Sequence, residues 1–133
     1  MDPRWSVIDA LRAGRSLAED EAVRRLMAFL FDYEQVRRPV STLSGGERTR
    51  LAFLALMQDQ PNCLVLDEPT NHLDVDSIEV VEGALEHYDG TVVAVSHDRY
   101  FLDRIADRIV HVDEGSVRAY EGGWSANGAL AGV

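Results

Sequence analysis

The sequence predicts an α/β protein in which a helical amino-terminal part precedes a core of mostly parallel strands. From residue 62 onward, short apolar runs end abruptly in polar residues and alternate with helical segments, a pattern typical of parallel α/β structure. Before residue 62, apolar residues recur at helical spacing and a proline-containing break separates the segments. We therefore expect a helical subdomain at residues 1–61 and an α/β core at residues 62–133.

Two helices are predicted within the first region. The first begins near the three acids at residues 19–21, whose charges suit the positive end of the helix dipole. Its apolar face is formed by residues at helical spacing, namely Val23, Leu26, Met27 and Leu30. After a break at Pro39, the mostly apolar residues 47–58 predict a second helix, which ends near Pro61 and is expected to be buried.

The second region begins with a predicted strand–helix–strand crossover. Residues 63–66 and 91–95 are the clearest strands, because they are short and rich in leucine and β-branched residues. Cys63 opens the first of these runs, where a buried thiol is expected. The helix between them could be capped by Asp74 or Asp76. Its apolar face is formed by Ile78, Val81, Leu85 and Tyr88.

A β-hairpin is predicted after this crossover. Residues 109–112 and 117–120 are short apolar runs on either side of the turn-forming sequence Asp-Glu-Gly-Ser. The final residues, 122–133, are rich in glycine and alanine and show no periodicity.

The charges restrict the classes of function. The net charge is -10, and residues 1–50 hold 9 Arg and 8 acids whereas residues 51–133 hold 4 Arg and 15 acids. The acidic second part argues against nonspecific nucleic-acid binding, so no direct DNA binding is expected. No apolar run approaches the roughly 20 residues that cross a bilayer. With no secretory signal visible, we expect a cytoplasmic protein without membrane insertion.

Two neighbouring acids, Asp67 and Glu68, follow the first predicted strand. In open α/β sheets, ligands bind beyond the carboxyl ends of the strands, so these carboxylates can face a common site. In phosphoryl hydrolysis, one such acid can orient Mg²⁺ while the next polarises the attacking water. Capping of the following turn by the same acids is an equally good explanation of the pair on its own.

A histidine, His97, lies just beyond the end of the second predicted strand. A histidine at this position can hydrogen-bond a γ-phosphate and the catalytic water. Taken alone, it can equally be a solvated loop residue. The other three histidines show no metal-ligand spacing, so no metal site made of protein side chains alone is expected.

The small residues Ser44, Gly45 and Gly46 precede Glu47 at the start of a predicted helix. Glycines allow close approach of a ligand to the backbone, and a helix start offers unpaired N–H groups to an anion such as phosphate. Serine followed three residues later by glutamate is also a capping box, which requires no ligand. For this motif in isolation, the capping box is the better explanation.

In combination, these motifs resemble the ATP-binding cassette family in both order and spacing. Leu-Ser-Gly-Gly-Glu precedes a strand that enters Asp-Glu-Pro-Thr, then Asn-His-Leu-Asp, and a second strand enters Ser-His-Asp-Arg. The resemblance covers nearly the whole chain, from about Trp5 to Trp124. The sequences Glu-Pro-Thr-Asn-His-Leu-Asp and Ser-His-Asp-Arg-Tyr-Phe-Leu-Asp are similar to the ABC-F branch. Known members of that branch have paired ATPase domains without membrane domains and mostly act on ribosomes, as translation factors or antibiotic-resistance proteins.

The resemblance implies a fold, a substrate and a partner. The fold would be a partial P-loop NTPase core with an α-helical signature subdomain, and ATP and Mg²⁺ would be bound. Ser44, Gly45, Gly46 and Glu47 would belong to the signature that contacts the γ-phosphate of ATP on the opposite ATPase domain. Asp74 would belong to the loop that links the two sites across that dimer.

Three further roles are implied by the same resemblance. Asp67 would be the magnesium-associated Walker B acid, Glu68 the general base and His97 the switch histidine. The end of the chain departs from the branch, since Gly123 and Trp124 stand where asparagine and tyrosine are commoner.

The phosphate loop of the family is absent from this sequence. No glycine-lysine loop can be found, because all 13 basic residues are arginine. We therefore expect ATP hydrolysis only when a missing half completes the sites. Two alternatives remain open: a non-catalytic fragment that contacts a partner such as the ribosome through its arginines, and an ATPase subunit of an ABC transporter.

Overall fold

The computed structural model describes residues 1–125 of the 133-residue chain. In this part of the chain, the helices are α1 (Val7–Arg12), α2 (Glu19–Ala28), α3 (Gly45–Gln58), α4 (Val75–Glu86) and α5 (Arg99–Ile105). Two 3-10 turns lie at Gln35–Arg37 and Val40–Thr42. The strands are β1 (Cys63–Asp67), β2 (Thr91–Val95), β3 (Arg108–Asp113) and β4 (Ser116–Glu121). None of the helices within residues 1–125 is long and apolar enough to span a membrane.

The chain divides into two compact units. The first consists of Met1–Asn62 together with His72–Val81, and the second consists of Cys63–Asn71 together with the residues from Glu82 onward. The proposed boundary at residues 61 and 62 differs from this grouping in the segment His72–Val81. That segment packs with the first unit, where Leu73 Cδ2 lies 3.8 Å from the position of a Cβ at Gly46.

The first unit is built around an apolar core between α1, α2 and α3. Its fully buried side chains include Val7, Leu11, Leu26, Val36 and Leu51. Helix α3 is buried along one face only, whereas a buried helix was expected, and it begins at Gly45, two residues earlier than the sequence pattern indicated. The earlier start follows from the cap at Ser44, which allows both glycines to join the helix.

The end of α2 differs from the predicted apolar face. The helix ends at Ala28, and Leu30 adopts a left-handed conformation with φ of 70°. The Phe31 N–H donates to the Leu26 carbonyl over 3.1 Å, as in a Schellman-type helix end. This reversal buries Phe31 and leaves Leu30 exposed beyond the end of the helix, so the prediction that Leu30 belongs to its apolar face is wrong. Met27, on the same predicted face, is exposed as well.

The second unit contains the predicted parallel pair of strands. Strands β1 and β2 pair in parallel, with Cys63 opposite Thr91 and Asp67 opposite Val95, and the chain between them contains α4. This crossover confirms the predicted α/β class. Leu64 and Leu66 are buried, whereas the alternate residues of β1 face outward, so Cys63 is exposed and its predicted burial is wrong.

The predicted hairpin is confirmed and is slightly longer than its apolar runs. Strands β3 and β4 pair antiparallel, with Asp113 opposite Ser116. The two turn residues between them, Glu114 and Gly115, both have positive φ, of 44° and 81°. Two positive φ values match the right-handed twist of the flanking strands, which explains the tight two-residue turn.

Candidate functional site

The second unit brings Glu68 and His97 together at the carboxyl ends of its parallel strands. Asp67 is the last residue of β1 and lies opposite Val95, the last residue of β2. The Glu68 N–H donates to the Val95 carbonyl over 2.8 Å, which extends this pairing by one residue. Beyond it, His97 Nε2 lies 3.5 Å from Glu68 Oε1. The parallel register therefore places a carboxylate and an imidazole side by side.

The contact between these two side chains leaves both able to bind a ligand. A separation of 3.5 Å is at the limit of hydrogen bonding, and such contacts in ligand-free sites often tighten when substrate binds. The His97 side chain is 93% exposed and that of Glu68 is 31% exposed. A water or phosphate oxygen can therefore reach both groups, as acid–base work on a substrate requires.

Glu68 adopts an uncommon backbone conformation, with φ of 48°. Its carbonyl accepts a hydrogen bond from the Asn71 N–H over 3.1 Å, which closes a turn directly after β1. Non-glycine residues with positive φ cost energy and cluster at functional sites. This turn directs the chain away from the strand while the Glu68 side chain remains beside His97.

Asp67 is the exposed carboxylate at the end of β1, next to Glu68. Among residues 1–125, no group of three or more histidine, cysteine or acidic side chains could hold a metal ion. Mg²⁺ does not require such a cage, since it binds through one or two carboxylates together with substrate phosphates and water. A single accessible carboxylate here fits a magnesium ion that arrives with a nucleotide.

The backbone on either side of His97 is fixed by two residues that the sequence analysis did not single out. The Asp98 side chain caps α5 by accepting hydrogen bonds from Tyr100 N over 3.0 Å and Phe101 N over 3.2 Å. The Ser96 Oγ accepts from Asp98 N over 3.0 Å. An aspartate followed by a helical pattern is a cap signal, so this feature could have been found from the sequence.

In the first unit, Ser44 and Glu47 form the predicted capping box. The Ser44 Oγ accepts from Glu47 N over 3.2 Å, and Glu47 Oε1 accepts from Ser44 N over 3.2 Å. The second carboxylate oxygen of Glu47 accepts from the Gln35 side-chain amide. Ser44 and Gly45 are exposed, and apart from the adjoining residues and the backbone of α3 itself, no atom lies within 4 Å of a Cβ placed at Gly45. The start of α3 is thus capped and open to an approaching ligand.

We predict that Ser44→Ala lowers the free energy of unfolding by about 1 kcal/mol, because it removes the side-chain acceptor at the start of α3. Urea denaturation followed by circular dichroism measures this difference. The matched control is Ser41→Ala, since Ser41 is an exposed serine whose hydroxyl does not cap the helix. Equal stabilities of the two variants would show that the capping box does not stabilise α3.

Asp74, also in the first unit, caps α4. Its side chain accepts from Ser77 N over 2.7 Å, which selects Asp74 over the alternative Asp76. Hydrogen bonds from Ser77 and, to a smaller extent, the charge of Arg50 hold the pKa of Asp74 below its ordinary value. Because the pKa is lower in the folded state, the ionised Asp74 carboxylate stabilises the folded protein at pH values above the ordinary aspartate pKa. This stabilisation is lost as the pH falls through the folded-state pKa.

The predicted site residues thus form two groups, one in each unit. Asp67, Glu68 and His97 lie together in the second unit, where strand pairing brings them into register. The signature residues and Asp74 lie in the first unit. Their roles toward a nucleotide remain predictions.

The chain is similar to ATP-binding cassette proteins. A family model described as ABC transporter matches residues 3–71, slightly more than half of the chain. ABC transporter F family member 5 of Arabidopsis thaliana is 50% identical over 95 residues, 71% of this chain and 14% of that protein. The energy-dependent translational throttle protein EttA of Mycobacterium tuberculosis is 51% identical over 87 residues, 65% of this chain and 16% of that protein. The chain therefore spans a small part of the length of these curated relatives.

Solved structures share the fold. The solved structure of an RNase-L Inhibitor superposes with a TM-score of 0.71 at 27% identity, over 98% of this chain and 28% of that one. A dimeric ATP-binding cassette in a post-hydrolysis state with ADP and Pi gives a TM-score of 0.72 at 24% identity, over 91% of this chain and 58% of that one. These neighbours confirm the predicted partial ATPase core, and the relatives of the F family confirm the resemblance to that branch.

Proposed function

Because this chain belongs to the ABC transporter family of ATP-binding cassette proteins, we propose that it contributes parts of two composite sites for ATP hydrolysis. A second ATPase domain would complete these sites across a dimer interface, as in an ABC-F protein. The observation that carries this proposal is the pairing of Glu68 and His97, 3.5 Å apart at the ends of adjacent parallel strands. It places an acid–base pair where α/β sheets bind their ligands.

Glu68 acts as the general base in this proposal. Its carboxylate is half-buried at the end of β1, and it takes a proton from the water that attacks the γ-phosphorus. His97 Nε2 lies on the side of that carboxylate and donates to a γ-phosphate oxygen. Glu68 thus orients the water, and the hydrogen bond from His97 stabilises part of the negative charge that develops on the phosphoryl group.

Asp67 and the signature complete the set of proposed contacts. Asp67 would hold a magnesium ion, which when bound would supply positive charge to the phosphates of the nucleotide. Ser44 and Gly45 present the N-terminal end of α3 to the γ-phosphate of ATP bound to the opposite domain. Asp74, whose side chain fixes the start of α4, carries the link between the two sites.

We predict that the 133-residue chain alone releases no phosphate from ATP above background. Without a lysine, it has no side-chain ammonium group to hold the β- and γ-phosphates. Phosphate release is measured with the chain alone and with the chain mixed with a polypeptide that carries a glycine-lysine loop. Steady release by the chain alone, abolished by Glu68→Gln, would overturn this prediction.

We further propose that the completed ATPase acts on ribosomes. Proteins similar to this chain include a translational throttle protein and an archaeal ribosome recycling factor, which supports the proposal. Co-sedimentation of the completed protein with ribosomes, with and without a non-hydrolysable ATP analogue, tests it. Association that increases with the analogue is expected, and its absence under both conditions would refute ribosome binding.

A further inference from the structure

The position of the His97 ring depends on its backbone, because its side chain has little packing of its own. The side chain is 93% exposed, and the polar contact that the structure gives it is with Glu68 at 3.5 Å. The backbone directly after it enters α5 through the Asp98 cap. Any element that fixes α5 therefore also fixes the direction from which His97 approaches Glu68.

Helix α5 cannot hold its own position. It has 7 residues, and isolated helices shorter than about 12 residues are marginal in water. One face is anchored by Phe101, which is buried, and by Arg104, which pairs with α4. The other anchor is the segment at residues 122–125, which we call the strap.

The strap leaves β4, turns back and lies on α5. Its turn uses Gly122, whose φ is 85° and whose N–H donates to the Asp107 carbonyl over 2.7 Å. The Asp103 carboxylate then accepts hydrogen bonds from Ser125, from the N–H over 2.7 Å and from the hydroxyl. The guanidinium of Arg99 lies 5.1 Å from the centroid of the Trp124 ring, within the range of a cation–π contact.

The glycine of the strap is required by the closeness of this contact. A Cβ at Gly123 would lie 3.0 Å from Asp103 Oδ1 and 3.1 Å from the Asp103 Cα and carbonyl oxygen. The Cα and the carbonyl oxygen are backbone atoms, which cannot move aside as a side chain can. A larger residue at Gly123 would therefore push the strap off the helix. The unusual Gly123 and Trp124 thus have a structural consequence, since both contact α5.

We propose that the strap is a positioning element for His97, acting through Arg99 and Asp103. Both anchor residues lie on α5, and Arg99 is two residues from His97. The strap holds the helix from its first turn to its last, and the Asp98 cap transmits that position to the histidine. This inference rests on the proposed function for its effect on hydrolysis, but the position of the ring can be measured without any nucleotide.

The test uses ring signals of histidine in NMR spectra of the 133-residue chain, with the His97 signal assigned through His97→Gln. In Trp124→Ala and Ser125→Ala, we expect the His97 signal to shift and broaden while that of His111, on β3, stays unchanged. Trp124→Tyr should restore the wild-type signal, because tyrosine can also stack on Arg99. An exposed arginine on β4 supplies the matched control, Arg118→Ala, which should leave the His97 signal in place.

An unchanged His97 signal in both Trp124→Ala and Ser125→Ala would overturn the positioning role. Turnover then tests the proposed function separately, in the chain completed by a glycine-lysine half. Trp124→Ala is expected to lower kcat about fivefold without raising KM for ATP, because it misplaces a catalytic group and not the nucleotide. A shifted ring signal with unchanged kcat would uphold the strap and refute the assignment of His97 to hydrolysis.

Discussion

Glu68→Gln in the completed ATPase is expected to slow phosphate release by about a hundredfold or more, with ATP binding retained. Glutamine keeps the size of the side chain and its place beside His97 but cannot accept the proton of the attacking water. The phosphate contact proposed for the signature and the magnesium contact proposed for Asp67 are untouched, so the domains should still close on ATP. Single-turnover hydrolysis and calorimetric binding of Mg²⁺–ATP, measured on the same preparation, separate the two effects.

A control for this substitution is available in the same unit. Glu121 is exposed on β4, where it pairs with Arg108 across the hairpin at 3.5 Å. Glu121→Gln removes the same charge far along the chain from the proposed base, and hydrolysis should remain at the wild-type rate. If Glu68→Gln abolished nucleotide binding, or left hydrolysis intact, the role of Glu68 as general base would be wrong.

Arg104→Met is expected to lower the free energy of unfolding by about 3 kcal/mol. Arg104 joins α5 to α4 through Glu82 at 2.9 Å and Glu86 at 2.6 Å. The Glu82 side chain is only 8% exposed, so removal of the guanidinium takes away a cation that faces a buried carboxylate. Urea denaturation of the variant and of Arg118→Met, a substitution of an exposed arginine, measures the difference.

A double variant tests whether charge, and not packing, causes this loss. Arg104→Met with Glu82→Leu replaces the buried pair by apolar groups and should recover most of the stability, since such replacements are often neutral. If the double variant were less stable than Arg104→Met alone, the loss of stability in Arg104→Met would be due to lost packing and not to an unpaired buried charge.

The ion pair between Arg104 and Glu86 makes the effect of Arg104→Met depend on pH. The Arg104 hydrogen bonds hold the pKa of the Glu86 carboxyl below its ordinary value. A lowered folded-state pKa contributes stability that is present above the ordinary glutamate pKa and is lost as pH falls through the folded value. The difference in stability between wild type and Arg104→Met should therefore shrink as the pH is lowered through that range.

The sequence was sufficient to predict the features that depend on local patterns. The capping box at Ser44 and Glu47 follows from residue type and spacing, and it forms as expected. The closeness of Glu68 and His97 could also be anticipated. Each follows a short apolar strand, and parallel strands bring their carboxyl ends to one edge of the sheet.

Features that depend on tertiary contacts were not predictable. The end of α2 places Leu30, and not a glycine, in the left-handed conformation, so no composition signal marked it. Arg104 meets acids 18 and 22 residues earlier in the chain, a spacing that no local pattern encodes. The strap on α5 likewise depends on Trp124 meeting Arg99 only after the hairpin has reversed the chain.

The most direct test of the composite sites is calorimetric titration of Mg²⁺–ATP into the 133-residue chain, alone and then mixed with a polypeptide that carries a glycine-lysine loop. If the sites are composite, the chain alone should not bind Mg²⁺–ATP, because it has no lysine to hold the phosphates. Binding should appear once the two parts are mixed. Tight binding by the chain alone would contradict them, since it would require a complete phosphate site within these 133 residues.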